Sequence, residues 1–257
     1  MKFGFRHLIG NCPVPPKRDR GGPYERNFLP GRPRRAGTSH WAGKMKRNSI
    51  IYSLTKTTAR LVFSLFYRID TEWRMTLPNH GPMILLPKHQ YWTDIPVISL
   101  AFKPLLYFVA KKELFKYPLI RHYLSLLGGL PVDRNQSVRT LDSFKVLVSL
   151  LRAGERIVIF PEGTYFRNGV GSGKSRLLQM ILKFQSELRD PIPFIPVGIR
   201  YGQRSGWRRP IEVCVGSPLF AEKESDAILL TRQAIKEIGH LCRLPLNQSS
   251  ELGVTPN

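Results

Sequence analysis

The chain has 257 residues, 42% of them hydrophobic, enough for one domain with a substantial core. Forty lysines and arginines against 18 acidic residues give a net charge of +22, which favours anionic partners: nucleic acid, acidic lipid headgroups or phosphorylated substrates. Three cysteines (Cys12, Cys214, Cys242) have neither metal-ligand nor disulfide-framework spacing, so neither a zinc finger nor a disulfide-rich scaffold fits.

Residues 1–44 stand apart. They carry ten Lys or Arg and two acidic residues among scattered Pro and Gly, with no helical or strand period. Such a segment cannot bury enough apolar surface to offset its ordering entropy and is expected to be disordered. It lacks the apolar core of a signal peptide. Its arginines fit a weak transit peptide or a segment that binds acidic surfaces, and Met45 stands as an alternative start. The rest of the chain, at +14, is itself basic.

From Ile50 to Tyr67 the pattern becomes helical, with Ile50, Ile51, Leu54, Leu61, Val62, Leu65 and Phe66 near one face. Lys44, Lys46, Arg47 and Arg68 flank it, and Lys56 and Arg60 lie within it. The stretch is slightly short for a spanning helix, and its charges oppose spanning. Two readings stand open. The helix lies in a bilayer interface, its basic residues near lipid phosphates, making 45–70 a membrane-surface region; or it packs on the domain.

Strands are expected at Met83–Leu86, Leu105–Ala110, Arg156–Phe160, Phe194–Arg200 and Ile211–Val215, as short apolar runs bounded by Pro, Gly or charge. Helices are expected at Thr93–Phe102, Arg139–Ala153, Lys174–Leu188 and Ser225–Leu241. This alternation predicts a single α/β domain over 45–246, with a mainly parallel central sheet flanked by helices. Residues 247–257 read as a polar tail.

Four landmarks carry chemistry. After the first strand comes Pro87-Lys88-His89-Gln90-Tyr91-Trp92-Thr93-Asp94. A histidine at a strand's end with an aspartate five residues on can form a dyad, the carboxylate fixing the tautomer and freeing the other nitrogen to take a proton. The same residues also fit simple helix capping, with Thr93 or Asp94 as cap and Pro96 in the first turn. Second, Gly128-Gly129-Leu130-Pro131 forces a turn ahead of Asp133 and Arg134, and Arg134 can grip a phosphate or merely pair with an acid. Third, the strand at Arg156–Phe160 runs into Pro161-Glu162-Gly163-Thr164, where ligands of open α/β sheets gather. Fourth, Ile195-Pro196-Val197-Gly198 is apolar and reads as wall.

Together, H-x4-D, a turn ending in Asp-Arg, FPEGT and a Pro-Val strand resemble, in order, the four motifs of the PlsC-like glycerolipid acyltransferases, and among them the 1-acylglycerol-3-phosphate branch. The resemblance spans about Met45 to Leu244. It implies an α/β domain on a membrane, an acyl-CoA or acyl-carrier-protein donor, and no metal or cofactor. By position it makes His89 the general base and Asp94 its orienter. Arg134, Glu162, Gly163 and Thr164 fall in the acyl-acceptor site, and Trp92 and Pro196 line the pocket. One departure is plain: the family often has Arg-Ser after FPEGT, and here Tyr165-Phe166 stand there with Arg167 next. Arg167 is the candidate replacement phosphate contact.

The implied reaction moves a fatty acyl group from a thioester to a lysophospholipid hydroxyl, most simply 1-acylglycerol-3-phosphate to phosphatidic acid. Glycerol-3-phosphate or another lysolipid, or a non-catalytic basic lipid-binding role, are the alternatives. The partners implied are lysolipid, thioester donor and membrane surface, with the enzyme peripheral or monotopic on a cytoplasmic face. No nucleic acid is expected, because no recognised nucleic-acid motif accompanies the charge. Gly171-Ser172-Gly173-Lys174-Ser175 suggests a nucleotide loop, but Asn168 stands where that pattern needs glycine.

Overall fold

The computed structural model describes residues 48–78, 81–132, 138–185, 191–204 and 206–247. The basic tail over 1–44, the alternative start at Met45, Arg134 and residues 248–257 lie outside these.

The chain opens with α1 (Ser49–Phe66), whose first turn is capped by Asn48: its Oδ1 accepts the amides of Ile50 at 3.0 Å and Ile51 at 3.1 Å. Then follow β1 (Tyr67–Trp73), β2 (Met83–Pro87), α2 (Asp94–Ala101), β3 (Tyr107–Lys111), α3 (Pro118–Leu126) and β4 (Gly129–Val132). The second half runs α4 (Val138–Arg152), β5 (Arg156–Val158), α5 (Arg176–Lys183), β6 (Phe194–Tyr201), β7 (Arg209–Val215) and α6 (Ala227–Cys242).

Seven strands form one sheet in the order β1-β7-β6-β2-β5-β3-β4 among the described residues. Strands β6, β2, β5, β3 and β4 run parallel, and β7 turns back antiparallel on β6 and carries β1 parallel to itself. The expected α/β domain with a mainly parallel sheet is what forms.

The central strand β2 is buried at all five positions, because both sheet faces are covered. Its side chains alternate between two cores, as a pleated strand must. Ile84 and Leu86 join Leu147 and Leu151 of α4, Ile181 of α5 and Leu230 of α6. Met83 and Leu85 join Val97 and Ile98 of α2 and Phe63 of α1.

Three elements were not expected. β1 forms from a charged, alternating segment that reads weakly as a strand because it lies at the sheet's edge. β4 forms where Gly and Pro predict only a turn: Gly128, at φ 82°, makes the turn, and Pro131 is tolerated because the strand is an edge. α3 starts with Pro118 in its first turn and buries none of its residues.

The first helix packs on the domain through two buried residues. Tyr52 and Phe63 are buried, Tyr52 reaching Ser99 through its hydroxyl at 2.8 Å. The apolar stripe itself faces outward, with Ile50 79%, Leu54 66% and Leu61 64% exposed. No helix among the described residues is long and apolar enough to cross a membrane.

Candidate active site

β2 and β5 are parallel neighbours, so the segments leaving their carboxyl ends, Lys88–Asp94 and Phe160–Thr164, emerge side by side. This is the sheet edge at which ligands of such folds bind.

The first segment folds around Asp94. One of its oxygens, Oδ2, accepts the amides of Gln90 and, at 2.8 Å, Tyr91, and lies 3.1 Å from His89 Nδ1. The other, Oδ1, accepts the Tyr201 hydroxyl at 2.7 Å from the end of β6. Tyr201 in turn accepts from Thr93 Oγ1 at 2.7 Å. The carboxylate is fully buried, and these donors compensate the water it has lost. Burial, and then the charge of Asp94, push the Tyr201 phenol far above its usual range, so it stays a donor. A histidine that faces a carboxylate through Nδ1 is placed to donate there and to leave Nε2 free.

The imidazole is nearly enclosed, with 12% of its side chain exposed. Phe160 stacks on it at 3.9 Å between centroids, and Tyr165 covers it at 4.4 Å.

A second network fixes the backbone beneath. Lys88 and Glu162 are both fully buried, and Lys88 Nζ donates to Glu162 Oε1 at 2.9 Å and Oε2 at 3.0 Å. Nζ also donates to the carbonyls of His89 at 3.1 Å and Phe166 at 2.7 Å. Glu162 accepts the amides of His89 and Gly171, each at 2.8 Å. Burial raises the Glu162 carboxyl above its ordinary value, and Lys88 with the amides pulls against that shift.

Expected site residues thus fall in different places. His89, Asp94 and the Pro161–Thr164 loop are brought together. Gly163 makes the turn at φ 70°, its amide donating to Phe160 O at 3.1 Å. Thr164 and Arg167 are exposed, the Arg167 guanidinium standing 5.3 Å from the Tyr91 ring centroid. Trp92 is exposed as well. Glu162 points inward, its oxygens taken by Lys88 and backbone amides. Pro196 is buried in β6 opposite Leu86, with its carbonyl accepting Gly216 N at 2.9 Å.

Sequence reading passed over Lys88 and Tyr201. Their only signals were a charge following an apolar strand and a tyrosine ending one. The Gly-Ser-Gly-Lys-Ser run is a packed loop: the Gly171 amide is spent on Glu162, and a Cβ at Gly173 would meet Thr231 Cγ2 at 2.4 Å. Among the described residues no group of His, Cys, Asp and Glu could hold a metal ion.

The family model described as Acyltransferase matches residues 68–200. The chain is 31% identical over 133 residues to a chloroplastic 1-acyl-sn-glycerol-3-phosphate acyltransferase of Arabidopsis thaliana, covering 50% of this chain and 36% of that one. It is 31% identical over 106 residues to a lyso-ornithine lipid O-acyltransferase of Brucella abortus, covering 41% of this chain and 38% of that one. The chain therefore spans well under two thirds of these relatives. Its fold is similar to that of the 1-acyl-sn-glycerophosphate acyltransferase PlsC of Thermotoga maritima, with TM-score 0.53 and 22% identity over 73% of this chain and 79% of that one. With more than half of its length, and the whole of the His89 and Glu162 segments, inside the family match, the chain belongs to the acyltransferase family.

Proposed function

We propose that the protein transfers a fatty acyl group from a thioester, acyl-CoA or acyl-carrier protein, to the free hydroxyl of 1-acylglycerol-3-phosphate, giving phosphatidic acid. The observation that supports it most is the His89 Nδ1 to Asp94 Oδ2 contact of 3.1 Å beside the Pro161–Thr164 loop. An alcohol is a weak nucleophile at neutral pH. His89 Nε2 takes its proton as the oxygen attacks the thioester carbonyl, and Asp94 stabilises the imidazolium. The tetrahedral oxyanion collapses, the C–S bond breaks, and the imidazolium proton passes to the departing thiolate. The chain's own groups do this without a metal or cofactor. Arg167 and Thr164, with Arg134, are the acceptor's phosphate contacts, and Trp92 borders the pocket.

The site is proposed to work on a membrane surface, with the enzyme peripheral on a cytoplasmic face. Two exposed apolar faces support this. Besides the α1 stripe, α3 exposes Leu119 at 87% and Ile120, with Tyr117 exposed just ahead of it. The two helices touch: Thr55 Oγ1 lies 3.2 Å from Tyr123 Oη, and Asn48 N donates to Leu126 O at 3.0 Å. Between positions 103 and 126 the charges are Lys103, Lys111, Lys112, Lys116 and Arg121 against Glu113 alone, which suits anionic headgroups.

A second acceptor class has its own support. Tyr165, 4.4 Å from the His89 ring, follows FPEGT where the family often has arginine, which favours a less phosphate-dependent lysolipid such as the lyso-ornithine lipid of the Brucella relative's name. Purified protein on vesicles, with labelled oleoyl-CoA or oleoyl-carrier protein, tests both. The expected result is one thiol released per phosphatidic acid formed, with 1-acylglycerol-3-phosphate preferred over glycerol-3-phosphate and lyso-ornithine lipid. No thiol release with any acceptor, or unchanged turnover by His89→Ala, would overturn the reading.

A further inference from the structure

We infer that Lys88 and Glu162 are positioning residues for the general base: a buried ion pair that clamps the backbone of His89 so that its imidazole meets Asp94 and the acceptor hydroxyl. The inference rests on the proposed role of His89.

The geometry is unusual for a lysine. Lys88 has no exposed side-chain surface, and its ammonium lies within hydrogen-bonding distance of four oxygens: both of Glu162, and the carbonyls of His89 and Phe166. Such a group is expensive to bury unless fully compensated, and breaking one member strands the other. The pair sits one residue from the base. His89 is held at both ends of its own backbone: its amide donates to Glu162 Oε2 at 2.8 Å, and its carbonyl accepts from Lys88 Nζ and, at 2.9 Å, from Phe166 N. Asp94 holds the ring at Nδ1 and the amides of Gln90 and Tyr91 beyond it, but not the His89 amide. The Lys88–Glu162 pair and Asp94 together define where Nε2 points.

This assigns Glu162 a task distinct from touching the acceptor. Both of its oxygens face Lys88, and their remaining capacity goes to the amides of His89 and Gly171. The clamp joins the loop after β2 to the loop after β5, so the base and the turn that receives the acceptor are set against each other by one pair of charges. A neutral pair of similar shape would fill the space without holding that register as tightly.

The test uses Glu162→Gln, Lys88→Met and the double variant, with His89→Ala as control, assayed on vesicles for kcat and for the acceptor KM, with unfolding midpoints recorded alongside. Glu162→Gln is the most conservative in shape and the variant expected to fold. Its kcat is expected to fall 10- to 100-fold with acceptor KM within twofold. The double variant, with neither charge stranded, is expected to regain most of the unfolding midpoint lost by Lys88→Met while kcat stays low. An acceptor KM raised tenfold or more in Glu162→Gln with kcat kept would overturn the inference and return Glu162 to the acceptor site. So would a double variant whose kcat recovers together with its midpoint. If His89→Ala turns over like wild type, the proposed function itself fails. If His89→Ala is inactive while folded Glu162→Gln keeps wild-type kcat, only the clamp fails.

Discussion

Tyr201 holds the side of Asp94 that His89 does not use: its hydroxyl donates to Oδ1 at 2.7 Å, from 107 positions further along the chain. The carboxylate is thereby oriented from β6 while its other oxygen faces the imidazole. Tyr201→Phe removes this donor and leaves Oδ1 buried with one partner fewer. Losing a hydrogen bond to a buried charge costs about 1.5–3 kcal/mol. If a third to a half of that appears in the orientation of the imidazole, kcat falls roughly 3- to 10-fold. Steady-state kinetics with acceptor KM measured in parallel checks this. Unchanged kcat would mean that the amides of Gln90 and Tyr91 suffice.

Asp94→Asn probes the tautomer directly. With its oxygen in the place of Oδ2 the asparagine still accepts the amides but cannot balance an imidazolium; with its NH2 group there it faces Nδ1 and the same amides and favours the wrong tautomer. A fall in kcat on the order of 10²- to 10⁴-fold is expected, near that of His89→Ala. Combining the two substitutions should add little, because they disable one unit. Fully additive losses would show that the residues act separately.

Much of this site was legible in the sequence, for identifiable reasons. His89 and Asp94 are five residues apart and lie where an apolar strand meets a helix, so local chain geometry alone brings them together. The FPEGT loop follows another apolar strand, and parallel pairing of β2 with β5 does the rest. Tyr201 and Lys88 were hidden because their partners are distant: Lys88 meets Glu162 across 74 positions, and no local pattern encodes that. The edge elements were hidden for another reason. β1 and β4 at the sheet margins and α3 on the surface bury too little to impose a strong period on their residues. Glu162 was placed in the acceptor site by its motif position, which says which loop a residue occupies and not that its oxygens meet Lys88 and two amides.

A pH effect follows from Lys56, which anchors α1 by donating to Phe102 O at 2.6 Å and Lys103 O at 3.2 Å. Burial, then the nearby charge of Arg60, lower its ammonium from 10.5 to about 8. Below that value the group is charged in both folded and unfolded chains, and burying the charge opposes folding. Between about 8 and 10.5 the folded lysine is neutral while the unfolded one still binds its proton, so its contribution to stability rises with pH. Urea midpoints at pH 7.5 and 10 should therefore move in favour of wild type relative to Lys56→Met. A constant difference between the two proteins would contradict the shift.

The outward faces of α1 and α3 predict vesicle binding. Leu119, 87% exposed, can gain about 1.5–3 kcal/mol on full transfer from water, and the half-exposed Ile120 about half as much. Leu119→Glu with Ile120→Glu should lower binding to phosphatidylglycerol-containing vesicles by tenfold or more in co-sedimentation. Turnover of a short-chain, water-soluble acceptor should stay within twofold, since neither residue touches the His89 network. Undiminished vesicle binding would leave α1 as the sole contact or remove the membrane face altogether.

Gly171 tests whether the clamp depends on its surroundings. Its amide donates to Glu162, and a Cβ placed there would stand 2.3 Å from Phe166 Cε2. Phe166 supplies a carbonyl to Lys88 and an amide to His89, so a ring displacement that carries its backbone along pulls on both. Overpacking of this kind typically costs about 1–3 kcal/mol. Gly171→Ala should lower the unfolding midpoint and reduce kcat by about tenfold, the second effect through the displaced Phe166 backbone. Phe166→Ala supplies the missing space, so Gly171→Ala made in that background should cost much less than it does in wild type. The double-mutant cycle on kcat measures this coupling. If the two losses simply add, the ring yields without disturbing the backbone, and the packing of Gly171 against Phe166 has no bearing on the base.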